Sequence, residues 1–459
     1  MATRVNTSGP LPMMDPMTAK TTPSLEDLAA QALDLARRQG ASAAEVNTGL
    51  GAGLSVTVRK GEVETVEHHR DKSLSITVFF GERSGSASTA DFRAQALSEA
   101  VMAACAIARH TAADPYNGLA DPAHLARDIP DLDLYHPWSL SMEEAIDLAR
   151  RCEDAAFAAD PRIRNSEGAS VTTHDGTDVY ATSDGFLGTV RASRHGISCA
   201  VLGEDGHGGM QRDYDYASVR DPRDLPPAED IGRRAARRTV RRLGGRQIKT
   251  CQVPVLYEAQ VARSLVSHLV SAISGPSLYR RSSFLLDSVD TALFPAWVHL
   301  YEEPHRKKAM GSAPFDGEGV ETRYRDLVTG GILRRYCLDS YSARKLGLTT
   351  TANAGGVHNL TVASGPEDLA GLLRQMGRGL FVTELIGFGI NTVTGDYSRG
   401  AAGFWVEGGE IVHPVEEITI ASNLRDMYKG LVAVGRDVDP RHNVCTGSWL
   451  LERMTVAGG

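Results

Sequence analysis

The sequence lacks long apolar runs and paired cysteines. No stretch approaches the roughly 18 consecutive apolar residues that predict a transmembrane helix. Residues 1–23 are polar, rich in Pro and Thr, and without the apolar core of a signal peptide, so we expect a disordered tail and a cytoplasmic chain. The six cysteines are scattered without a CxxC pair, which predicts reduced thiols and excludes a zinc knuckle.

Several motifs of hydrolases and nucleotide-binding proteins are also missing. HExxH occurs nowhere, and residues 387–410, despite seven glycines, contain neither GxGxxG nor GxxxxGK[ST]. Ser398 does not lie in the GxSxG elbow of serine hydrolases. The segment from His299 to His305 is predicted to be a strand that ends in a turn at Pro304. Six residues of a strand span about 20 Å. These two imidazoles are therefore too far apart to share a metal ion.

What is present indicates an ordinary globular protein of several domains. The chain has 459 residues, of which 42% are hydrophobic and 23% charged. This length is too great for a single core and favours two or three domains. The formal net charge of −8 argues against a protein that binds polyanions over its whole surface.

The order of helix and strand patterns predicts an α+β fold. Ser24 is expected to cap a helix that precedes alternating strands, and Asp91 to cap a second helix. Ser141 begins the same order again, with a turn expected at Asp175-Gly176. Helix followed by antiparallel meander thus occurs twice, which suggests an internal structural repeat. The predicted units are a first α+β module at 24–115, a second at 116–243 that ends in an Arg-rich helix, and a β-rich C-terminal domain at 244–459.

The helix predicted over residues 228–243 carries six arginines. A basic face of this kind is one signature of phosphate binding. The structural interpretation is a solvated interdomain helix whose charges pair with the many carboxylates, and we favour it because no aromatic residues interleave and the chain is acidic. In a multi-subunit protein the same face would serve for docking. The arginines are Arg233, Arg234, Arg237, Arg238, Arg241 and Arg242.

The glycine-rich segment 387–410 lies between predicted strands at 380–385 and 411–420, so we expect a glycine-rich hairpin. It contains the tetrad Asp396-Tyr397-Ser398-Arg399. An ion pair between Asp396 and Arg399 that fixes a turn is the structural interpretation. The functional alternative is that the tetrad shapes a peptide groove.

The same segment resembles the signature of the TldD/TldE (PmbA) peptidase-complex proteins. Further matching blocks keep their order over roughly residues 24–459, including 209–216, 313–322, 338–347 and 415–421. In the TldD branch, a strand-to-helix junction carries HExxxH, whose histidines bind zinc and whose glutamate activates water. Here Tyr257 and Ala262 take the histidine positions and only Glu258 remains. A phenol and a methyl group do not replace two imidazoles as zinc ligands, so the chain resembles the TldE/PmbA branch.

This resemblance implies that the chain has no metal site and no catalytic residue of its own. It implies the non-catalytic subunit of a heterodimeric zinc peptidase that acts on small unfolded or modified peptides, with zinc and HExxxH in a TldD-type partner. Cys445, near the position of a cysteine ligand in the sister subunit, is interpreted as a relic or packing thiol. Candidates for a substrate groove or partner interface are Asp396, Tyr397, Ser398, Arg399 and Arg344.

Two other functions remain open from the sequence. One is a stand-alone regulatory protein that contacts nucleic acid through the arginine helix, since the family has been linked to DNA gyrase. The other is a hydrolase that uses Asp396, Tyr397, Ser398 and Arg399 as an unrecognised site.

Overall fold

The computed structural model describes residues 23–458, so the tail predicted at 1–23 lies outside the described residues except for its last position. No helix in the described part of the chain is long and apolar enough to cross a membrane. The helices are α1 Leu25–Arg38, α2 Ala94–His110, α3 Met142–Ala159, α4 Ala228–Arg241, α5 Ala259–Ala272, α6 Gly275–Tyr279, α7 Ser340–Leu346, α8 Leu369–Met376 and α9 Leu424–Lys429.

The strands fall into a long-stranded first half and a second half of mostly shorter strands. In the first half they are β1 Ala43–Arg59, β2 Glu62–Phe80, β3 Arg83–Thr89, β4 Ile163–Thr182, β5 Leu187–Glu204 and β6 Met210–Val219. In the second half they are β7 Cys251–Tyr257, β8 Leu300–Glu302, β9 Arg325–Thr329, β10 Ile332–Leu333, β11 Leu360–Val362, β12 Gly379–Ile386, β13 Asp396–Glu407, β14 Glu410–Asn423, β15 Leu431–Val434, β16 Val444–Cys445 and β17 Trp449–Ala457.

The first half of the chain repeats one arrangement: a helix, three antiparallel strands and a second helix. Helices α1 and α2 flank β1 to β3, and α3 and α4 flank β4 to β6. Strand β1 pairs with β4, so all six strands form one sheet in the order β3-β2-β1-β4-β5-β6. The α+β class and the internal structural repeat are thus confirmed. Because the two modules share this sheet, a domain boundary near residue 115 stays a prediction.

Two of the three predicted helix caps form. Ser24 and Ser141 each accept a hydrogen bond from the backbone N–H three residues ahead, in reciprocal capping boxes. The prediction for Asp91 is wrong, since α2 begins at Ala94 after an Arg93 that makes no side-chain cap. The Asp91 carboxylate instead accepts from the backbone N–H and guanidinium of Arg93, which turns the chain just before the helix.

The turn predicted at Asp175-Gly176 is also wrong. These residues lie inside β4, where Gly176 is opposite Gly51 of β1 on one side and Ala192 of β5 on the other. Hydrogen bonds to neighbours on both edges hold the backbone extended. Pairing in the sheet therefore overrides a local turn signal.

Helix α4 is positioned by close packing against α3. A Cβ on Gly232 would lie 1.9 Å from the carbonyl oxygen of Cys152, so only glycine permits this approach. The apolar face of α4, including Ile231, Ala235 and Ala236, is buried in the core of the second module. Its arginines consequently point away from that core, and Arg238 and Arg241 reach Glu258 of the C-terminal half.

The C-terminal half contains a closed barrel and a smaller sheet. Strands β14-β13-β12-β7-β17 pair in sequence and β17 pairs back to β14, while β15 extends from β17. The smaller sheet has the order β10-β9-β8-β11-β16. The largest hydrophobic core includes residues from both sheets and the buried face of α5.

Residues 387–410 are not the predicted single hairpin between two strands, because they include a third strand. They contain β13, which pairs with β12 on one side and β14 on the other. A loop precedes β13, and Gly408 and Gly409, with φ of 59° and 81°, make the tight turn into β14. The tetrad at 396–399 therefore belongs to a strand of the barrel.

Candidate functional site

The strand-to-helix junction at the start of α5 places two of its three motif positions in the core. Tyr257, the last residue of β7, is completely buried, and its hydroxyl donates to Met454 Sδ at 3.3 Å. Burial raises the pKa of this phenol well above its ordinary value. Ala262 is likewise completely buried within the C-terminal core. Neither residue presents a ligand atom to solvent.

Glu258, the third motif position, is held by the arginine helix. Both of its carboxylate oxygens accept from Arg238 at 3.0 Å, and Arg241 lies 3.5 Å from Oε1. Burial lowers the pKa of Arg238, but the charges and hydrogen bonds of Glu258 and Asp213 together outweigh this effect and raise the pKa overall. Both oxygens of the carboxylate are thus engaged in a bidentate ion pair with Arg238.

The other arginines of this region mostly pair with carboxylates, as the structural interpretation expects. Arg233 pairs with Asp230 on its own helix, and Arg234 with Asp215 of β6. Arg242 follows α4 and contacts Glu384 of β12. Ion pairs therefore connect α4 to β6, to the start of α5 and to the end of β12.

The residues at the motif positions do not fit a zinc ion. Zinc sites in proteins use imidazole, thiolate or carboxylate ligands about 2.0 to 2.3 Å from the metal. Here the phenol of Tyr257 is hydrogen-bonded to the thioether of Met454. The methyl group of Ala262 is in the core, and the Glu258 carboxylate is paired with Arg238. Cys445 accepts from Arg306 at 3.3 Å and lines a different cleft. Within residues 23–458 no group of three or more His, Cys, Asp or Glu is placed to hold a metal.

Strand geometry divides the tetrad between two faces of the barrel wall. Asp396 and Ser398 are exposed, and the Asp396 carboxylate accepts from Thr394 and Asn423. Tyr397 and Arg399 point to the other face, towards α5. The predicted ion pair between Asp396 and Arg399 does not form. The four side chains therefore do not converge on one site.

Arg344 lies on α7, far along the chain from the tetrad. Its guanidinium donates to the backbone carbonyls of Tyr116, Gly118 and Leu119 at 2.7 to 2.9 Å. These contacts attach the linker after the first module to the C-terminal half. A role for Arg344 in a groove or an interface stays a prediction.

A cleft of about 500 Å³ lies where α4 and β6 meet α5 and the end of β12, and we call it the α4–α5 cleft. Arg399 reaches it from β13, and α5 contributes Arg263 and His268. Burial, followed by the nearby charge of Arg399, lowers the pKa of His268 to about 4, so its imidazole is neutral at pH 7. Thr383 of β12 also lines the cleft and is 6% exposed.

Sequence reasoning singled out Arg399 but missed its neighbours Arg263, His268 and Thr383. A signal for two of them was present on α5, where Arg263, Ser264, Ser267 and His268 form a polar stripe on a helix whose other face is apolar. Such a stripe facing into the protein is typical of a polar cleft. Thr383 left no comparable signal, because it lies in a short buried strand.

Comparisons with known proteins match the chain along most of its length. Three family profiles match in order: PmbA/TldA metallopeptidase domain 1 at residues 51–108, the central domain at 135–243 and the C-terminal domain at 250–458. The chain is 48% identical to the metalloprotease PmbA of Escherichia coli O157:H7, over 95% of this chain and 96% of that protein. A metalloprotease TldD homologue of Haemophilus influenzae is 22% identical over 85% of each chain.

Solved structures share the fold. A Bacteroides thetaiotaomicron protein, whose descriptive name links it to modulation of DNA gyrase, superposes with a TM-score of 0.90 at 28% identity and covers 95% of this chain and 99% of its own. TldE from Thermococcus kodakarensis superposes with a TM-score of 0.80 at 19% identity, over 94% of this chain and 100% of its own. The second likeness shows the fold alone.

Proposed function

The chain belongs to the PmbA/TldD metallopeptidase family, and from this premise we propose that it is the non-catalytic subunit of a heterodimeric zinc peptidase of the TldD/TldE type. The complex would process or degrade small unfolded or modified peptides in the cytoplasm. The observation that carries the proposal is the bidentate ion pair between Glu258 and Arg238, beside a Tyr257 and an Ala262 that are both in the core.

Peptide hydrolysis by zinc requires an open metal position and a group that accepts the proton of the bound water. In this chain Glu258, at the base position, is held in an ion pair by Arg238. The two ligand positions hold Tyr257 and Ala262, whose side chains are buried in the core. A TldD-type sister would supply the metal, the water and the base. The similarity of this chain to a TldD homologue is compatible with a related partner of this kind.

The present chain would contribute a wall of the substrate groove. The α4–α5 cleft lies next to the junction where the sister branch carries its zinc motif, so a peptide bound by the complex would pass near the same part of the fold. A subunit of this kind selects substrates by shape and charge while its partner performs hydrolysis.

The two alternative functions have less support. Five of the six arginines at 233–242 are engaged by carboxylates, which leaves Arg237 as the exception within residues 23–458. Nucleic-acid binding by this helix would have to break those pairs. A hydrolase site made from the tetrad is disfavoured because Asp396 and Ser398 face away from Arg399.

Co-expression with an HExxxH-bearing sister chain tests the proposal. We expect the two chains to co-purify, and zinc and peptide hydrolysis to depend on the sister's motif. The Glu→Gln change in that motif should abolish turnover, whereas Glu258→Gln in this chain should leave turnover per assembled complex within about threefold of wild type. Hydrolysis by this chain in isolation would contradict the proposal. Salt-sensitive DNA binding that Arg237→Glu abolishes would favour the regulatory alternative.

A further inference from the structure

The α4–α5 cleft is cationic in a chain that is acidic overall. Five arginines line it against two carboxylates, an excess of three positive charges by formal count, whereas the whole chain has a net charge of −8. The carboxylates are Asp213 and Glu384, and the arginines are Arg212, Arg238, Arg242, Arg263 and Arg399. A concave surface with one sign of charge concentrates ligands of the opposite sign.

Two of these arginines have no carboxylate partner among residues 23–458. Arg212 pairs with Glu167 outside the cleft, and Arg238 and Arg242 are engaged as described above. Arg263 and Arg399 make no ion pair, and the buried Nε of Arg399 makes no hydrogen bond. The fixed charge of the cleft is therefore concentrated on these two guanidinium groups.

Neutral hydrogen-bonding groups beside them are also unpartnered. Within the described residues, the hydroxyl of Thr383, on a side chain that is more than nine-tenths buried, has no hydrogen-bond partner, and neither does Nε2 of His268. A buried polar group without a partner is energetically unfavourable. A ligand with negatively charged oxygen atoms would satisfy the hydroxyl and both arginines together.

The rim of the same cleft is apolar. Phe388, in the loop after β12, lines the cleft and is fully exposed at 101%, and the partly exposed Leu385 lies beside it. An aromatic side chain left in water next to a cationic cleft fits a ligand whose charged end is attached to an apolar group. Inorganic phosphate and other small ions would leave this rim uncovered.

We propose that the α4–α5 cleft binds the free C-terminal carboxylate of a peptide, with Arg399 and Arg263 on its oxygens, the Thr383 hydroxyl as a donor, and Phe388 against the last side chain. The choice of a peptide rests on the proposed function. The choice of a carboxylate rests on the cleft itself. Because the cleft lies within one chain, binding needs neither zinc nor a partner subunit.

The test measures binding to the isolated full-length chain by calorimetry. The probes are N-acetyl-Gly-Gly-Phe as the free acid, the same peptide as its C-terminal amide, and inorganic phosphate. We expect the acid to bind and the amide to bind at least tenfold more weakly. Arg399→Gln and Arg263→Gln should each weaken binding of the acid by about ten- to a hundredfold, the range for loss of one charge-assisted hydrogen bond. The matched control, Arg237→Gln on α4, should leave binding unchanged.

Several results would overturn the assignment. Equal affinity for acid and amide, absence of binding by the acid, or unchanged binding in both cleft variants would each refute it. Tighter binding of phosphate than of the acid would identify a general anion site and refute the peptide ligand. Thr383→Val, which keeps side-chain volume and removes the hydroxyl, provides an independent variant if either arginine change prevents folding. Since no step uses the sister subunit, this binding and the heterodimeric function can fail separately.

Discussion

Replacement of Glu258 should affect stability and leave catalysis intact, the opposite of what is expected for a general base. The Glu258 carboxylate lies between Arg238 and Arg241, with its side chain 15% exposed and that of Arg238 17% exposed. Glu258→Ala removes the charge and both hydrogen bonds. Among the ion pairs of Arg238 in the described residues, only the pair with Asp213 then remains, with 3.3 Å between Arg238 Nε and Asp213 Oδ1.

The size of the effect follows from this partial burial. Removing one partner of a fully buried ion pair costs about 3 to 5 kcal/mol. Because the Glu258 pair keeps some contact with solvent and Arg238 retains a second carboxylate, we expect about 2 to 3 kcal/mol. For a unit of 150 to 250 residues this corresponds to a decrease in Tm of roughly 5 to 10 °C.

The assay compares thermal and urea unfolding of wild type, Glu258→Ala, Arg238→Gln and the double variant. The double variant should be less destabilised than the sum of the single changes, because each single change leaves a buried charge unpaired. Glu64→Gln is the matched control, since Glu64 and Arg59 form an exposed pair at 3.5 Å whose loss should cost at most about 1 kcal/mol.

Turnover provides the second measurement. Activity of the assembled complex, normalised to complex concentration, should change less than about threefold in Glu258→Ala. A variant of normal stability whose complex assembles but has lost hydrolysis would refute the reasoning, because it would assign Glu258 a role in the chemistry.

Three further predictions concern neighbouring positions. Burial lowers the pKa of His268 from 6.5 to about 4, so the unfolded chain binds the proton first as pH falls. The free energy of unfolding should therefore decrease between about pH 6.5 and 4, by on the order of 2 kcal/mol. Urea unfolding at pH 7 and 4.5 should show a smaller decrease in His268→Gln than in wild type. Ala262→His should overpack the core and lower the free energy of unfolding by about 1 to 3 kcal/mol, and a zinc assay should show no retained metal even with Tyr257→His added. Asp396→Ala should reduce assembly, measured by gel filtration with the sister chain, more than it reduces turnover per intact complex; a normal complex without activity would contradict this.

Local signals in the sequence predicted the elements that depend on local chemistry. The capping boxes at Ser24 and Ser141 were identifiable because the bonding partners lie three residues apart. The repeated order of helix and meander could also be predicted, because it depends on local sequence patterns. The turn at Asp175-Gly176 failed because contacts with β1 and β5, distant in sequence, decide the conformation there.

The degenerate motif could be identified from residue types alone, but the ion pair of Glu258 with Arg238 could not. Its partner Arg238 lies 20 residues earlier on another helix, and only the packing of α4 against the C-terminal half brings the two charges together. The division of the tetrad follows from the two-residue period of a strand. It was missed because the glycine content of 387–410 favoured a turn over β13.

Apart from the polar stripe on α5, the α4–α5 cleft could not be predicted from the sequence. Arg263, Thr383 and Arg399 come from α5, β12 and β13. More than a hundred residues separate Arg263 from the other two. None belongs to a motif with defined spacing. Their shared property, the absence of a partner for a charged or buried polar group, exists only in the folded chain.

Metal content of the purified chain, without its sister, tests the central claim most directly. The chain would be incubated with excess zinc at neutral pH, desalted and analysed by mass spectrometry for zinc per polypeptide, with the HExxxH-bearing sister treated in parallel. We predict a value near zero for this chain and about one for the sister. Retention of about one zinc by this chain, removed only by a strong chelator, would contradict the account.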